Sequence, residues 1–256
     1  MVEYESVILS LEKSFPQLGD THLLTDDDKY GILTEDTPVG QVPVITFCNR
    51  SDFEAFLRYV YNGKYDVPST QGAAVITYPD TVKTASLRKE YLAAHSNDMM
   101  GWVHHFQELK KDREAVTSTI VVLSQGPYSG YIPPIYPYEK WLSMSSVIRR
   151  YHECTHYIVK RKYHSGRTDL FDELEADTVG IYAALGKQDS MLLRQCLGIE
   201  NGIYITGRLE LYTAPITDAI RYIDDVLRAF EDIPPVTCPY DLIPDIEELR
   251  QQFSKR

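Results

Sequence analysis

Apolar side chains recur at helical spacing across residues 140–163, with no proline or glycine inside the stretch. A pattern of this length commits its part of the chain to a long, half-buried helix. With His152 at zero and about 100° per residue, Trp141, Met144, Val147, Ile148, Tyr151, Cys154, Thr155, Ile158 and Val159 fall in one arc, the face expected to be buried. His152 and His156, in the stretch YHECTHY, stack one turn apart at the edge of that arc. Glu153 falls further round, toward Arg149 and Lys160. The stretch ends in KRKYHSG, where basic residues suit the helix dipole and Gly166 is expected to cap the C-terminus.

The organisation around this helix is uneven. VPVITFC (42–48), AAVITY (73–78) and TSTIVVL (117–123) are short β-branched runs and are expected to be strands. A helix is expected from Ser51, with Glu54 completing a capping box, and further helices over 84–95 and 97–112. SQGPYSGYIPPIYPYEK, rich in Gly, Pro and Tyr, is expected to be a loop, and DDDKYG (26–31) a polar turn. After 140–163, helices are expected over 168–185, capped by Thr168 or Asp169, and over 189–197, 217–231 and 241–253. Strands early and helices late point to an α+β fold: a small N-terminal sheet with helices over 1–124, then a mainly helical half over 140–256, in a single domain.

Composition narrows the function classes. Acidic residues outnumber basic ones by 37 to 26, for a formal charge of −11, and this argues against a nucleic-acid surface. No basic, apolar leader opens the chain, and no apolar run is long enough to span a bilayer. Cys48, Cys154, Cys196 and Cys238 are scattered and are expected to be four buried free thiols of a cytoplasmic protein. Nineteen tyrosines, a high count, suit half-buried clefts.

Two imidazoles one turn apart can both reach one zinc ion, while a glutamate between them is placed to hold a water that the metal activates. A third protein ligand is needed. DELEAD (172–177) offers Glu173, Glu175 and Asp177 in the next helix. Glu173 and Asp177 share a face with Gly180 and Ala184, and Glu175 lies about 200° from Glu173. Small residues at 176, 180 and 184 permit a close approach between helices, which would bring Glu173 to the metal. Asp177, one turn on, is placed to accept the N–H of a ligating histidine.

HECTH followed by ELEAD resembles the gluzincin branch of the zincin metallopeptidases, and within it the HtpX-like and ImmA/IrrE-like families. The resemblance covers residues 150–180. It implies a zincin-like fold, Zn2+ held by His152, His156 and Glu173, Glu153 as catalytic base and Asp177 in support. The implied activity is hydrolysis of a peptide or protein substrate through a zinc-activated water. The rival is a non-catalytic zincin-like domain that binds a peptide or regulatory partner; Glu153, which metal binding alone does not need, favours the enzyme. In zincins a strand lines the cleft as an edge. The 117–123 strand or the loop after it is expected in that role, with Tyr128, Tyr131, Tyr136 and Tyr138 beside it. Tyr204, Arg208 and Tyr212 are open alternatives for stabilising the oxyanion.

Overall fold

The structure, a computed structural model, describes residues 4–19, 23–24, 28–69, 71–163, 169–212 and 215–253. The architecture is α+β, with the larger sheet in the first half of the chain and a helical second half. Contacts group the chain into two compact units, Met1–Glu35 with Gln41–Val67 and Val75–Val122, and Asp36–Gly40 with Pro68–Ala74 and Leu123–Arg256.

The first unit holds α1 (Tyr4–Ser14), α2 (Pro16–Gly19), and most of β1 (Tyr30–Thr37) and β2 (Gly40–Phe47), followed by α3 (Arg50–Val60) and most of β3 (Ala73–Pro79). Next come α4 (Thr81–Ala94), α5 (Met99–Leu109), α6 (Arg113–Val116) and β4 (Thr117–Ser124). The sheet order is β1-β2-β4-β3. Only Pro38 and Val39 separate β1 from β2, so the pair is an antiparallel hairpin. Phe47, Phe53, Phe56 and Leu57 are buried together, with the Phe47 and Phe56 rings 5.3 Å apart.

Several expectations change here. β4 is an interior strand, not an edge, because it lies between β2 and β3; Ile120, Val121, Val122 and Leu123 are all buried, as in a strand covered on both faces. β1 and α1 were not anticipated. α3 starts one residue before Ser51 with Asn49 at the cap, so the Ser51–Glu54 capping box does not form; Glu54 pairs instead with Arg50 and Arg58 along the helix. Asp80 and Asp98 cap α4 and α5 by accepting from Lys83 and Gly101. Asp26, Asp27, Gly166 and Thr168 lie outside the described residues.

In the second unit a single 3-10 turn, Tyr128–Gly130, precedes α7 (Tyr138–Lys162). Then follow α8 (Leu170–Leu185), α9 (Ser190–Leu197), the two-stranded ribbon β5 (Ile199–Glu200) and β6 (Ile203–Tyr204), α10 (Ile216–Glu231) and α11 (Leu242–Phe253). α8 is capped by Asp169, which with Asp172 completes a reciprocal capping box. The unanticipated β5–β6 ribbon turns at Asn201-Gly202, both at positive φ, and Asn-Gly is the strongest short hairpin signal in a sequence. Cys154 and Cys196 are buried, but Cys48 and Cys238 are exposed; all four are free thiols. Among the described residues no helix is long and apolar enough to cross a membrane.

Candidate metal centre

Every group at the centre belongs to the second unit, and α7 organises it. Trp141, Met144, Ile148, Cys154, Ile158 and Val159 are buried, as their helical spacing requires. Ser145, Arg149 and His152 are buried as well, so a wider face is covered than the apolar arc alone. Arg149, which the wheel set on the polar side, is buried because its two terminal nitrogens donate to the carbonyls of Gly126 and Pro127, both at 2.6 Å. Ser145 Oγ accepts from the Tyr128 N–H at 2.9 Å, and Trp141 Nε1 donates to the Tyr131 carbonyl at 2.6 Å. These three residues, four apart on one helix, pin the segment 126–131 along α7. Within that segment Ser129 holds a left-handed backbone (φ 53°), an unfavourable conformation for a residue with a Cβ.

The pinned segment delivers Tyr128 behind His152. The Tyr128 hydroxyl donates to Asp177 Oδ1 at 2.5 Å and lies 3.0 Å from His152 Nδ1, which is 2.8 Å from the same Asp177 oxygen. With Tyr128 donating and Asp177 ionised, the network assigns the ring proton to Nδ1, where it meets the carboxylate. Nε2 of His152 then carries a free lone pair.

α8 brings the third group. A Cβ built on Gly180 would stand 2.6 Å from the Ile148 carbonyl oxygen, so glycine is what lets α8 approach α7 this closely. Glu173 and Asp177 lie on that face, while Glu175 turns to Arg250 on α11 at 3.0 Å. His152 Nε2 and His156 Nε2 are 3.1 Å apart, with Glu173 Oε2 3.6 Å from the first and Glu173 Oε1 3.5 Å from the second. Bonds of about 2.0–2.1 Å in a tetrahedral site place neighbouring donors about 3.3–3.4 Å apart, which these separations straddle. Among the described residues, these three offer ligand atoms all within 4.8 Å of one another.

Charge fits as well as distance. Among the described residues, Glu153, Glu173 and Asp177 share this neighbourhood with the Arg208 guanidinium, and with all three carboxyls ionised the excess of two negative charges matches one divalent ion. Burial opposes the charge on Glu173, yet His156, His152 and Arg208 together hold its carboxyl well below the usual range. Asp177 is likewise kept low against its burial, chiefly by Arg208 and His152. Burial pushes the half-buried Glu153 up, partly offset by the two histidines. His156 is raised, because Glu173 and Glu153 outweigh the opposing effect of burial.

Two neighbours of the centre were not assigned by the sequence. Tyr128 stands behind a histidine, not along a groove. Tyr131 and Tyr136 serve packing, through the Trp141 hydrogen bond and a ring stack on Trp141, and Tyr138 opens α7. Of the three residues left open downstream, the Tyr204 hydroxyl is tied to the Gly207 carbonyl, Arg208 is buried against Glu173 and Asp177, and the Tyr212 hydroxyl is 3.5 Å from Arg208. Arg208 arrives because the chain at Gly207 crosses Gly198: a Cβ on Gly207 would meet the Leu197 carbonyl at 2.6 Å.

Gly180→Ala tests the close approach. Alanine gains about 1 kcal/mol of helix propensity, but a clash with a backbone carbonyl cannot rotate away, and overpacking costs about 1–3 kcal/mol. The expected result is a less stable protein, read by thermal melting. A melting temperature at or above that of wild type would show that α8 can move off α7 at no cost.

No curated protein and no solved structure matches the chain. Residues 2–229, a span that includes every group of the centre, match a family of unknown function, and the chain therefore belongs to the DUF7005 family.

Proposed function

We propose that this chain is a zinc-dependent metallopeptidase with a zincin-like fold of gluzincin type. The observation that carries the reading is the convergence of three donors from two helices, His152, His156 and Glu173, at separations of 3.1–3.6 Å. Zinc, when bound, supplies the positive charge that polarises a carbonyl and makes water acidic near neutral pH. His152 and His156 offer Nε2, and Glu173 offers a carboxylate oxygen. Asp177 and Tyr128 fix the ring of His152 so that Nε2 faces the other donors. Glu153 follows His152 directly in α7 and lies within the field of the same cluster. It takes a proton from the attacking water as the oxygen bonds to the carbonyl carbon. When the C–N bond breaks, Glu153 passes that proton to the leaving amine nitrogen. The substrate class is a peptide or protein.

The first test is metal content. Protein purified without added metal, or dialysed and reloaded, is expected to hold one zinc per chain, and His152→Ala to hold none. Absence of any transition metal, with no zinc uptake by the dialysed chain, would falsify the reading. Glu173→Gln is expected to lose zinc, and Glu175→Gln to retain it, because the Glu175 carboxylate points to Arg250. Release of metal by the Glu175 substitution alone would reverse the ligand assignment.

A further inference from the structure

Arg208 has a place in this centre that supporting the donors does not explain. It is buried, at 8% exposure, with its guanidinium over the rings of Tyr128 (5.3 Å) and Tyr212 (5.9 Å). One terminal nitrogen pairs with Asp177 Oδ2 and lies 3.2 Å from the Tyr128 hydroxyl. The other lies 3.2 Å from Glu173 Oε2, the same oxygen that stands 3.6 Å from His152 Nε2. Nε has no hydrogen-bond partner among the described residues. A fixed positive charge therefore holds one of the metal donors itself. It also holds the carboxylate that supports His152, drawing away the charge that would make this histidine a stronger donor.

Resting on the metal reading above, we propose that Arg208 is a positioning residue that sets the affinity of the centre by competing with the metal ion for Glu173 and by drawing charge from His152 through Asp177. The centre then holds its ion less tightly than its donors alone would. In the metal-free chain the same guanidinium offsets part of the negative charge of the two buried carboxylates it touches, Glu173 and Asp177. Metal entry would move Glu173 from one cation to another.

The sign of the effect separates this role from a scaffolding one. Loss of an ordinary supporting partner weakens metal binding by about 10–100-fold. Loss of a competing charge tightens it, by roughly tenfold or more for a unit charge against a divalent ion at short range. The experiment measures the zinc dissociation constant by competition with a chromophoric chelator, and the melting temperature with and without zinc, for wild type, Arg208→Met and Arg208→Lys. Tighter zinc in Arg208→Met, with a lower melting temperature for its metal-free form and near wild-type affinity in Arg208→Lys, is the expected result. Equal or weaker zinc binding in Arg208→Met, beside a wild type that binds one ion, overturns the proposal and leaves the metal reading intact. Tight binding in Arg208→Lys equal to that in Arg208→Met also overturns it, since charge would not be the cause. A wild type that takes up no zinc overturns both. Should Arg208→Met not fold without metal, Arg208→Gln decides by the same criterion, because it keeps a donor for Asp177 and removes the charge.

Discussion

Glu153→Gln is expected to keep one zinc per chain and to lose peptide hydrolysis by about 10²–10⁴-fold, the usual contribution of a general base. Glutamine preserves the shape of the side chain and can still hydrogen-bond a water, but it cannot take a proton at neutral pH. The proposed donors His152, His156 and Glu173 are untouched by the change, so a metal they hold would have no reason to leave. The measurement is paired, with zinc stoichiometry and turnover of a mixed peptide pool on the same preparation. Loss of metal together with turnover would make Glu153 a structural residue. Full retention of turnover would assign the proton to another group. No turnover in either protein, with zinc bound in both, would favour a peptide-binding domain over an enzyme.

Arg250→Ala is expected to destabilise the fold by about 3–5 kcal/mol, the range for removing one partner of a buried ion pair. Against a typical total of about 5–15 kcal/mol, that can unfold the chain outright. Arg250, on α11, donates to Asp172 and to Glu175 Oε2 on α8, and to Glu247 on its own helix at 2.8 Å, and it stacks on Phe171 at 4.3 Å. Asp172 and Glu175 are 3% and 1% exposed, so water cannot replace the lost cation. Burial, with Glu247 beside it, already pushes the Glu175 carboxyl well up while Arg250 is present. Denaturant melts read the loss. A change below about 1 kcal/mol, the value of an exposed pair, would mean that solvent reaches the cluster.

Long amphipathic stretches were legible in the sequence because their periodicity repeats over several turns. The expected helices 140–163, 168–185, 217–231 and 241–253 lie within two residues of α7, α8, α10 and α11. The same wheel separated Glu173 from Glu175, since tertiary packing did not rotate α8 away from its Gly/Ala stripe. Single charged residues were not legible. Arg149 and Arg208 look like surface groups in a helical pattern or a loop, and they are buried only because backbone carbonyls and carboxylates from distant segments meet them. Nothing local in GPYSG separates Tyr128 from the other tyrosines of its loop; its hydroxyl matters because Ser145 and Arg149 fix the backbone next to it. The resemblance left open whether the 117–123 strand or the loop after it is an edge; β4 is interior, which a short apolar run cannot show because it does not reveal its neighbours.

The donors and their neighbours also differ in how far apart they lie along the chain. His152, His156 and Glu173 sit on two successive helices, joined by a short connection that closes at little entropic cost. Arg208 reaches Glu173 across 35 residues and Tyr128 across 80. Local contacts form early in folding and distant ones late. A chain in which only α7 and α8 have paired would already bring together His152, His156 and Glu173, with Tyr128 only 24 residues from His152 but Arg208 not yet in place. On the proposed reading, the order of assembly along the chain would separate the capture of an ion from the tuning of its hold.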